Sequence, residues 1–401
     1  MVNLMQARTR NALSGAALVV ATLWALRHVL SDWRLAASMD VGLNGDISVY
    51  IGAINYLASG GALYDYPLEG GYGFTYPPFA AIVLRPLIWL APSTTGLVWL
   101  TLCVLVAVAL VGLVVVTRQL PVAPILKLVV FGLAVGTFLG SAQVQSDLIT
   151  GQVNLVLALM VVLDVGRFVP ERLRGMLVGL AAAIKLTPLV IWGWYVVTRQ
   201  WRALISSVAT FGVLVGLAWV VLPDDSVRYW SEAVFDTGRV GDVELRFNAT
   251  VMGMLARGGV DGGMRTVLWL GLGGVLVLAA YAHAQRARQA GDHVAAAVVL
   301  GCAAVVATPL AWPHHQIWLP LAGIVLLLRN AWIPRVAGLI VVVFTYLHIP
   351  LTRWWDAHAL GWVFNDVLFY MFAAVCLLGI APATDRSAAR QENLSQVGSA
   401  R

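Results

Sequence analysis

The chain has 401 residues, of which 60% are hydrophobic and only 11% charged, with 16 Trp and 38 Gly. Its mean hydropathy is +0.82. Soluble domains carry about 25% charged residues, so this composition excludes a large soluble enzyme, a disordered chain and a coiled coil. The net charge of +6 belongs on cytoplasmic loops of a membrane protein rather than on nucleic acid, and no nucleic-acid partner is expected.

Apolar runs fall at 11–30, 77–92, 95–117, 126–146, 148–166, 175–197, 203–222, 265–284, 294–312, 316–333, 336–350 and 362–382. A crossing helix needs about 20 apolar residues, and the runs predict an all-α, polytopic membrane protein of about twelve transmembrane helices. The first run follows Arg8 and Arg10 and has no small-residue cleavage site after it, so it is expected to be a span rather than a signal peptide. Cys103, Cys302 and Cys376 all lie inside apolar runs and form no metal or disulfide pattern.

Two long connections, 31–76 and 223–264, hold 12 of the 20 acidic residues and only five arginines. Loops poor in basic residues belong outside. Twelve spans put both long loops outside and both termini in the cytoplasm. They also put Arg118, Lys127, Arg167, Arg172 and Arg174 outside, against the rule. Either the bias fails there, or a segment such as 175–197 is re-entrant, broken at Lys185-Leu-Thr-Pro188, where Pro188 removes a helix hydrogen bond. The expected organisation is one membrane domain over 1–383 and a disordered cytoplasmic tail over 384–401.

Several features carry chemistry. In the first outer loop, Asp46-Ile-Ser-Val-Tyr50 opens an amphipathic stretch, and Gly73-Phe-Thr-Tyr76-Pro-Pro78 leads into the second run. A carboxylate partly buried at a membrane surface makes a general base, although Asp46 alternatively caps the helix that follows it. Asp40 is a competitor in the same loop. Gly151-Gln152-Val-Asn154 starts an apolar run, and Lys185 sits inside another. An intramembrane lysine is costly and marks a site; a phosphate, or a carboxylate such as Asp164, would be its counter-charge. Thr308-Pro-Leu-Ala-Trp-Pro-His314-His315 follows the ninth run. Its histidines suit a phosphate, a sugar, a metal or backbone hydrogen bonds; a zinc site would need about three ligands, and no third histidine is near. Arg246 and Arg257, flanking Asn248-Ala-Thr250, either clamp a phosphate or balance loop acids. The chain has no Walker sequence, no His-Glu-x-x-His and no Asp-x-Asp.

This ordered set, together with Gly61-Ala-Leu-Tyr64, Ala183-Ile-Lys-Leu-Thr-Pro188 and Arg199-Gln-Trp-Arg202, resembles the polyprenyl-phosphate-mannose-dependent mannosyltransferases of glycosyltransferase family 87, within the GT-C superfamily. The likeness is greatest to the members that elongate phosphatidylinositol mannosides through α-(1→2) linkages. It implies a GT-C-type bundle in the plasma membrane, with the active site on the outer face. The donor is a lipid-linked mannosyl phosphate, the acceptor a glycolipid, and neither cofactor nor metal is called for. It implies Asp46 as the base of an inverting transfer. Lys185, His314, His315, Arg246 and Arg257 are implied as candidates for the donor phosphate, and Tyr50, Tyr76, Gln152, Asn154 and Asn248 for the sugars. A lipomannan-branching or arabinofuranosyl transferase would use the same motifs. A transporter or flippase is the rival of another class, but no related halves are visible.

Overall fold

The computed structural model describes residues 15–28, 30–31, 45–66, 73–118, 120, 122–236, 238, 241–355 and 366–380. Asp40 and the 384–401 tail lie outside the described residues. Those described are helical, with no strand among them.

Several helices start where the sequence supplies a start. Prolines stand in the first turn of α3 (Pro78–Leu84), α4 (Pro92–Val116), α5 (Pro124–Leu139) and α11 (Pro223–Arg228), where a missing N–H costs nothing. Thr250 caps α12 (Val251–Arg257), its hydroxyl accepting from the Gly253 N–H at 3.0 Å. Asp292 caps α14 (His293–Ala307) in the same way through Ala295. The remaining helices are α1 (Gly15–His28), α2 (Asp46–Ala58), α6 (Ala142–Thr150), α7 (Asn154–Val165), α8 (Met176–Ile184), α9 (Val190–Val197), α10 (Trp201–Val221), α13 (Gly262–Gln289), α15 (Trp318–Leu327), α16 (Trp332–Trp355) and α17 (Val367–Leu378).

Among the described residues, three helices, Ser93–Val116, Trp201–Val221 and Gly262–Gln289, are long and apolar enough to cross a bilayer alone, and α5 with α6 makes a fourth path bent by 65°. Apolar side chains on α10 and α13 point away from the bundle, as lipid-facing surfaces do: Val213, Val220, Val267 and Leu270 are all exposed. Between helices, small residues permit close packing. Gly132 and Gly136 of α5 and Gly140, which caps it, lie against Ala21, Trp24 and His28 of α1; a methyl group would be tight at Gly132 and would collide at Gly136 and Gly140.

The two ends of the bundle differ in charge. At one end Arg118, beyond α4, pairs with Asp292 at 2.6 Å, and Arg329, beyond α15, pairs with the same carboxylate at 2.6 Å. Arg167, Arg174, Arg288 and His293 lie within electrostatic range of one another here. The other end carries α2, α11, α12 and the acidic connections. There Asp225 accepts the Leu63 N–H at 2.8 Å and Arg228 pairs with Asp65 at 2.5 Å, so the first long loop is fastened to the second.

Two of the twelve apolar runs do not pass from one end to the other. In 175–197, α8 rises from the basic end, where Gly175 packs on the Ala203 backbone and donates to Asp164 at 2.7 Å. It stops at Ile184 because Pro188 cannot donate to that carbonyl and its ring would strike it. Lys185 turns extended (φ −150°, ψ 129°), and α9 descends to Tyr195, which again lies in electrostatic range of Asp164 and Arg174. The segment folds back as a hairpin broken at Lys185-Leu-Thr-Pro188. The 77–92 run starts and ends at the acidic end. Its turn Arg85–Trp89 packs beside α2, the Leu87 carbonyl takes the Thr95 hydroxyl, and Pro92 opens the α4 helix that carries the chain to Arg118. With these two set aside, ten of the twelve runs remain as candidate end-to-end passes among the described residues, and on that path Arg118, Arg167, Arg172 and Arg174 join the other basic turns at one end.

Candidate active site

The helices that meet in the middle are short: α7 has 12 residues, α14 has 15 and α15 has 10. At 1.5 Å per residue they span roughly 15–23 Å of a hydrocarbon layer about 30 Å thick. The missing length, at the acidic end, is a cavity of about 490 Å³. Asp46, Tyr50, Tyr76, Gln152, Lys185 and His314 line it.

Asp46 is the first residue of α2. Gly45, at φ 116°, turns the chain against the Thr150 backbone, where a Cβ would come within 2.9 Å. Gly151, at φ 68°, ends α6 and fits beneath Ile47, where a Cβ would come within 2.7 Å. Both positions need glycine, and together they hold Asp46 over Thr150 and Gln152. The Asp46 carboxylate lies beside both side chains and in the field of Lys185. Burial pushes its carboxyl above the ordinary range, and the neighbouring Gln152 and Thr150 side chains and the lysine partly offset that rise.

Gln152 organises the floor. Its Oε1 accepts from Tyr50 Oη at 2.9 Å and Tyr76 Oη at 2.7 Å, and the two hydroxyls are 2.8 Å apart. With Oε1 so engaged, its amide N–H is the group free to serve Asp46. Lys185, 8% exposed, donates to Asn154 Oδ1 at 2.8 Å and to Tyr76 Oη at 3.4 Å, with its ammonium 5.1 Å from the Tyr76 ring centre. Asn154 Nδ2 donates to Asp147 Oδ2 at 3.0 Å. Asp147 is fully buried, and its Oδ1 has no partner among the described residues. The carboxylates whose charge reaches Lys185 are Asp46 and Asp147. Asp164, a candidate counter-charge from the sequence, instead binds the N–H groups of Gly175, Leu177 and Val178 at the opposite end. Asp147 is the residue sequence reading missed. It stands between two apolar runs, and an acid at such a junction was the available signal.

The histidines divide. The His315 Nδ1 accepts the Trp312 N–H at 3.2 Å, and its ring also donates to the Leu310 carbonyl. Both nitrogens hold the turn, while the ring also lines the cavity beside His314. His314, buried, stacks on Trp312 with ring centres 6.2 Å apart and presents its ring to the cavity. Burial, with the nearby Lys185 charge, holds both imidazoles well below the ordinary range and therefore neutral.

The second outer loop supplies a staple rather than ligands. Asn248, fully buried, donates to Val243 and Pro309 carbonyls and accepts the Ala311 N–H at 3.0 Å. Thr250 Oγ1 also donates to Pro309, and Gln316 Nε2 donates to Phe247 at 2.6 Å. Arg257 donates to the Leu245 and Asn248 carbonyls and pairs with Asp366. Its guanidinium is spent inside the loop, and neither Arg257 nor Asn248 lines the cavity. Arg246 is exposed and likewise does not line it. Asn154, Arg246, Asn248 and Arg257 are therefore candidates for phosphate and sugar that do not line the cavity; in this loop Asn248 and Arg257 instead satisfy backbone carbonyls that would otherwise be buried without donors.

The arrangement is one buried carboxylate facing a lysine and a neutral histidine across a cavity that aromatic hydroxyls line. Comparison with known proteins points the same way. Residues 74–313 match the model of glycosyltransferase family 87. The chain is 33% identical over 328 residues to a polyprenol-phosphate-mannose-dependent alpha-(1-2)-phosphatidylinositol pentamannoside mannosyltransferase of Mycolicibacterium smegmatis, covering 79% of this chain and 72% of that protein. It is 32% identical over 359 residues to a polyprenol-phosphate-mannose-dependent alpha-(1-2)-phosphatidylinositol mannoside mannosyltransferase of Mycobacterium tuberculosis, covering 83% and 82%. A third relative, of the same description and from Mycolicibacterium smegmatis, is 30% identical and covers 95% of each chain. The chain belongs to glycosyltransferase family 87 and is a glycosyltransferase.

Proposed function

We propose that the chain transfers mannose from a polyprenyl-phosphate-mannose donor to a phosphatidylinositol mannoside acceptor, forming an α-(1→2) bond with inversion. The observation that carries this is the opposition of the Asp46 carboxylate to Lys185 and His314 in one cavity. The names of the relatives support the donor and the acceptor class.

Inversion of a β-linked donor needs one base on the face away from the leaving group. Asp46 takes the proton of the acceptor hydroxyl as its oxygen bonds to C1. The C1–O bond to phosphate breaks, and polyprenyl phosphate departs with the electron pair. Lys185 and His314 stabilise the departing phosphate, so no acid is required. Gln152 and Tyr76 orient the base and the lysine. Tyr50 and Tyr76 offer hydroxyl groups to the sugars, and Asn154 holds the Lys185 ammonium. His315, Asn248 and Arg257 position the loops, and the mechanism uses neither metal nor cofactor.

The charge asymmetry supports an orientation. Basic turns belong in the cytoplasm, so the end with Arg118, Arg167, Arg174, Arg288 and Arg329 faces inward and the cavity faces outward across the plasma membrane. α1 begins and α17 ends at the basic end, which gives cytoplasmic termini to a single membrane domain.

The test is a transfer assay with purified protein in liposomes, radiolabelled polyprenyl-phosphate-mannose and phosphatidylinositol tetramannoside. Wild type should label a pentamannoside, and Asp46→Asn should lose roughly 10³-fold or more of that rate, on the scale of base removal plus lost positioning. Equal transfer by Asp46→Asn would remove Asp46 from the mechanism. Transfer to a lipomannan-type acceptor, or from an arabinofuranosyl donor, with none to phosphatidylinositol mannosides would replace the substrate assignment.

A further inference from the structure

Among the described residues, two non-glycine residues have left-handed backbone, and both are arginines: Arg167 at φ 64° and Arg199 at φ 55°. Each follows a helix in the same closing turn. Phe168 N–H bonds to the Leu163 carbonyl at 2.9 Å beyond α7, and Gln200 N–H bonds to the Tyr195 carbonyl at 2.8 Å beyond α9. Glycine ordinarily fills the left-handed position of that turn because it alone avoids the strain. Retaining arginine there sets a backbone cost against whatever the side chain does. Attraction to the helix C-terminus offsets part of it.

At Arg199 the structure holds a second observation. A cavity of about 450 Å³ lies between the end of α9 and the last turns of α13. Its polar rim is Thr198, Arg199, Gln285 and Arg286, and its wall includes Val197 and Leu278. Those two side chains are 61% and 60% exposed on the lateral surface of the bundle. Neither arginine forms an ion pair among the described residues. Two guanidiniums above an apolar wall at the membrane-facing edge match an amphiphile with an anionic head: arginine pairs bidentately with phosphate, and the wall accepts a hydrocarbon chain. A soluble anion would have no use for the wall.

We propose that this groove binds an anionic glycerophospholipid, its phosphate held between Arg199 and Arg286 and an acyl chain along Val197 and Leu278. The site lies at the end of the bundle opposite the cavity that holds Asp46. It does not depend on the transfer reaction, and only the leaflet follows from the orientation above.

The experiment compares thermal unfolding and bound-lipid counts by native mass spectrometry in nanodiscs of phosphatidylcholine alone and with phosphatidylglycerol. Wild type should be stabilised by phosphatidylglycerol and retain it. Arg199→Gly should unfold at a higher temperature in phosphatidylcholine, since the strain is relieved, yet lose the phosphatidylglycerol gain and bind that lipid about tenfold more weakly. Arg286→Gln should lose the same gain without the rise in phosphatidylcholine, and serves alone if Arg199→Gly does not fold. Mannosyl transfer by each variant checks the fold. Undiminished response to phosphatidylglycerol in both variants would overturn the proposal. So would inorganic phosphate in phosphatidylcholine discs reproducing the whole effect, because the ligand would then be a free anion.

Discussion

Opposing effects meet on the Asp46 carboxyl. Burial raises its carboxyl, while Gln152, Thr150 and Lys185 restrain the rise. A base works only when deprotonated, so transfer should fall as pH drops through the raised value, with the acid limb of kcat/KM above the ordinary Asp range near 4. Removing the lysine charge in Lys185→Met should move that limb to still higher pH. The same change should lower kcat by roughly 10²–10³-fold, the scale for losing a preorganised charge at a leaving group; an unmoved limb would detach Lys185 from Asp46. The two histidines should separate in the same assay. His314→Ala should reduce transfer with little loss of thermal stability. His315→Ala should lower stability by about 1–3 kcal/mol, because it strips the Trp312 N–H and the Leu310 carbonyl of their partner. Residue types at motif positions made Asp46, Gln152, Asn154, Lys185 and His314 legible in the sequence. Asn248 and Arg257 lie off the cavity, and an amide or guanidinium that satisfies backbone looks the same in sequence as one that binds a phosphate.

At the level of elements, the site depends on breaks rather than on regular helix. Gly151 ends α6 in left-handed backbone and lets Ile47 lie on it, which sets the height of Asp46 above Gln152. Gly151→Ala adds left-handed strain and a collision with the Ile47 Cβ. It should cost about 1–3 kcal/mol of stability, measured by thermal unfolding in detergent, and should lower kcat more than it raises KM. Pro188 performs the corresponding task below the cavity by stopping α8 at Ile184, so that Lys185 stands at the tip of a hairpin and points its ammonium toward Tyr76. An unbroken helix through 175–197 would carry the lysine past the site into lipid.

For the whole molecule, the hairpin and the outer 77–92 run reverse the sidedness of every connection between them. A twelve-span count puts Arg172 and Asp236 on the same outer side; the ten-pass path puts them at opposite ends. Arg172→Cys and Asp236→Cys, each in sealed vesicles of known orientation, should react with a membrane-impermeant maleimide from opposite sides. Cys103, Cys302 and Cys376 are buried and contribute little background. Labelling of both from one side would return the twelve-span path.

Sequence alone determined the class of this protein, its helical periodicity, its family and most of the polar groups around the cavity, because apolar runs, prolines and short motifs are local properties. The hairpin path of 175–197, the partner of Lys185 and the separate duties of the loop residues were decided only by tertiary structure. Which end of the bundle a turn reaches depends on what it packs against. Arg118 meets Asp292 across 174 positions of chain, and the proximity of Asp147 to Lys185 arises where α6, α7 and α8 converge. No local pattern carries either fact.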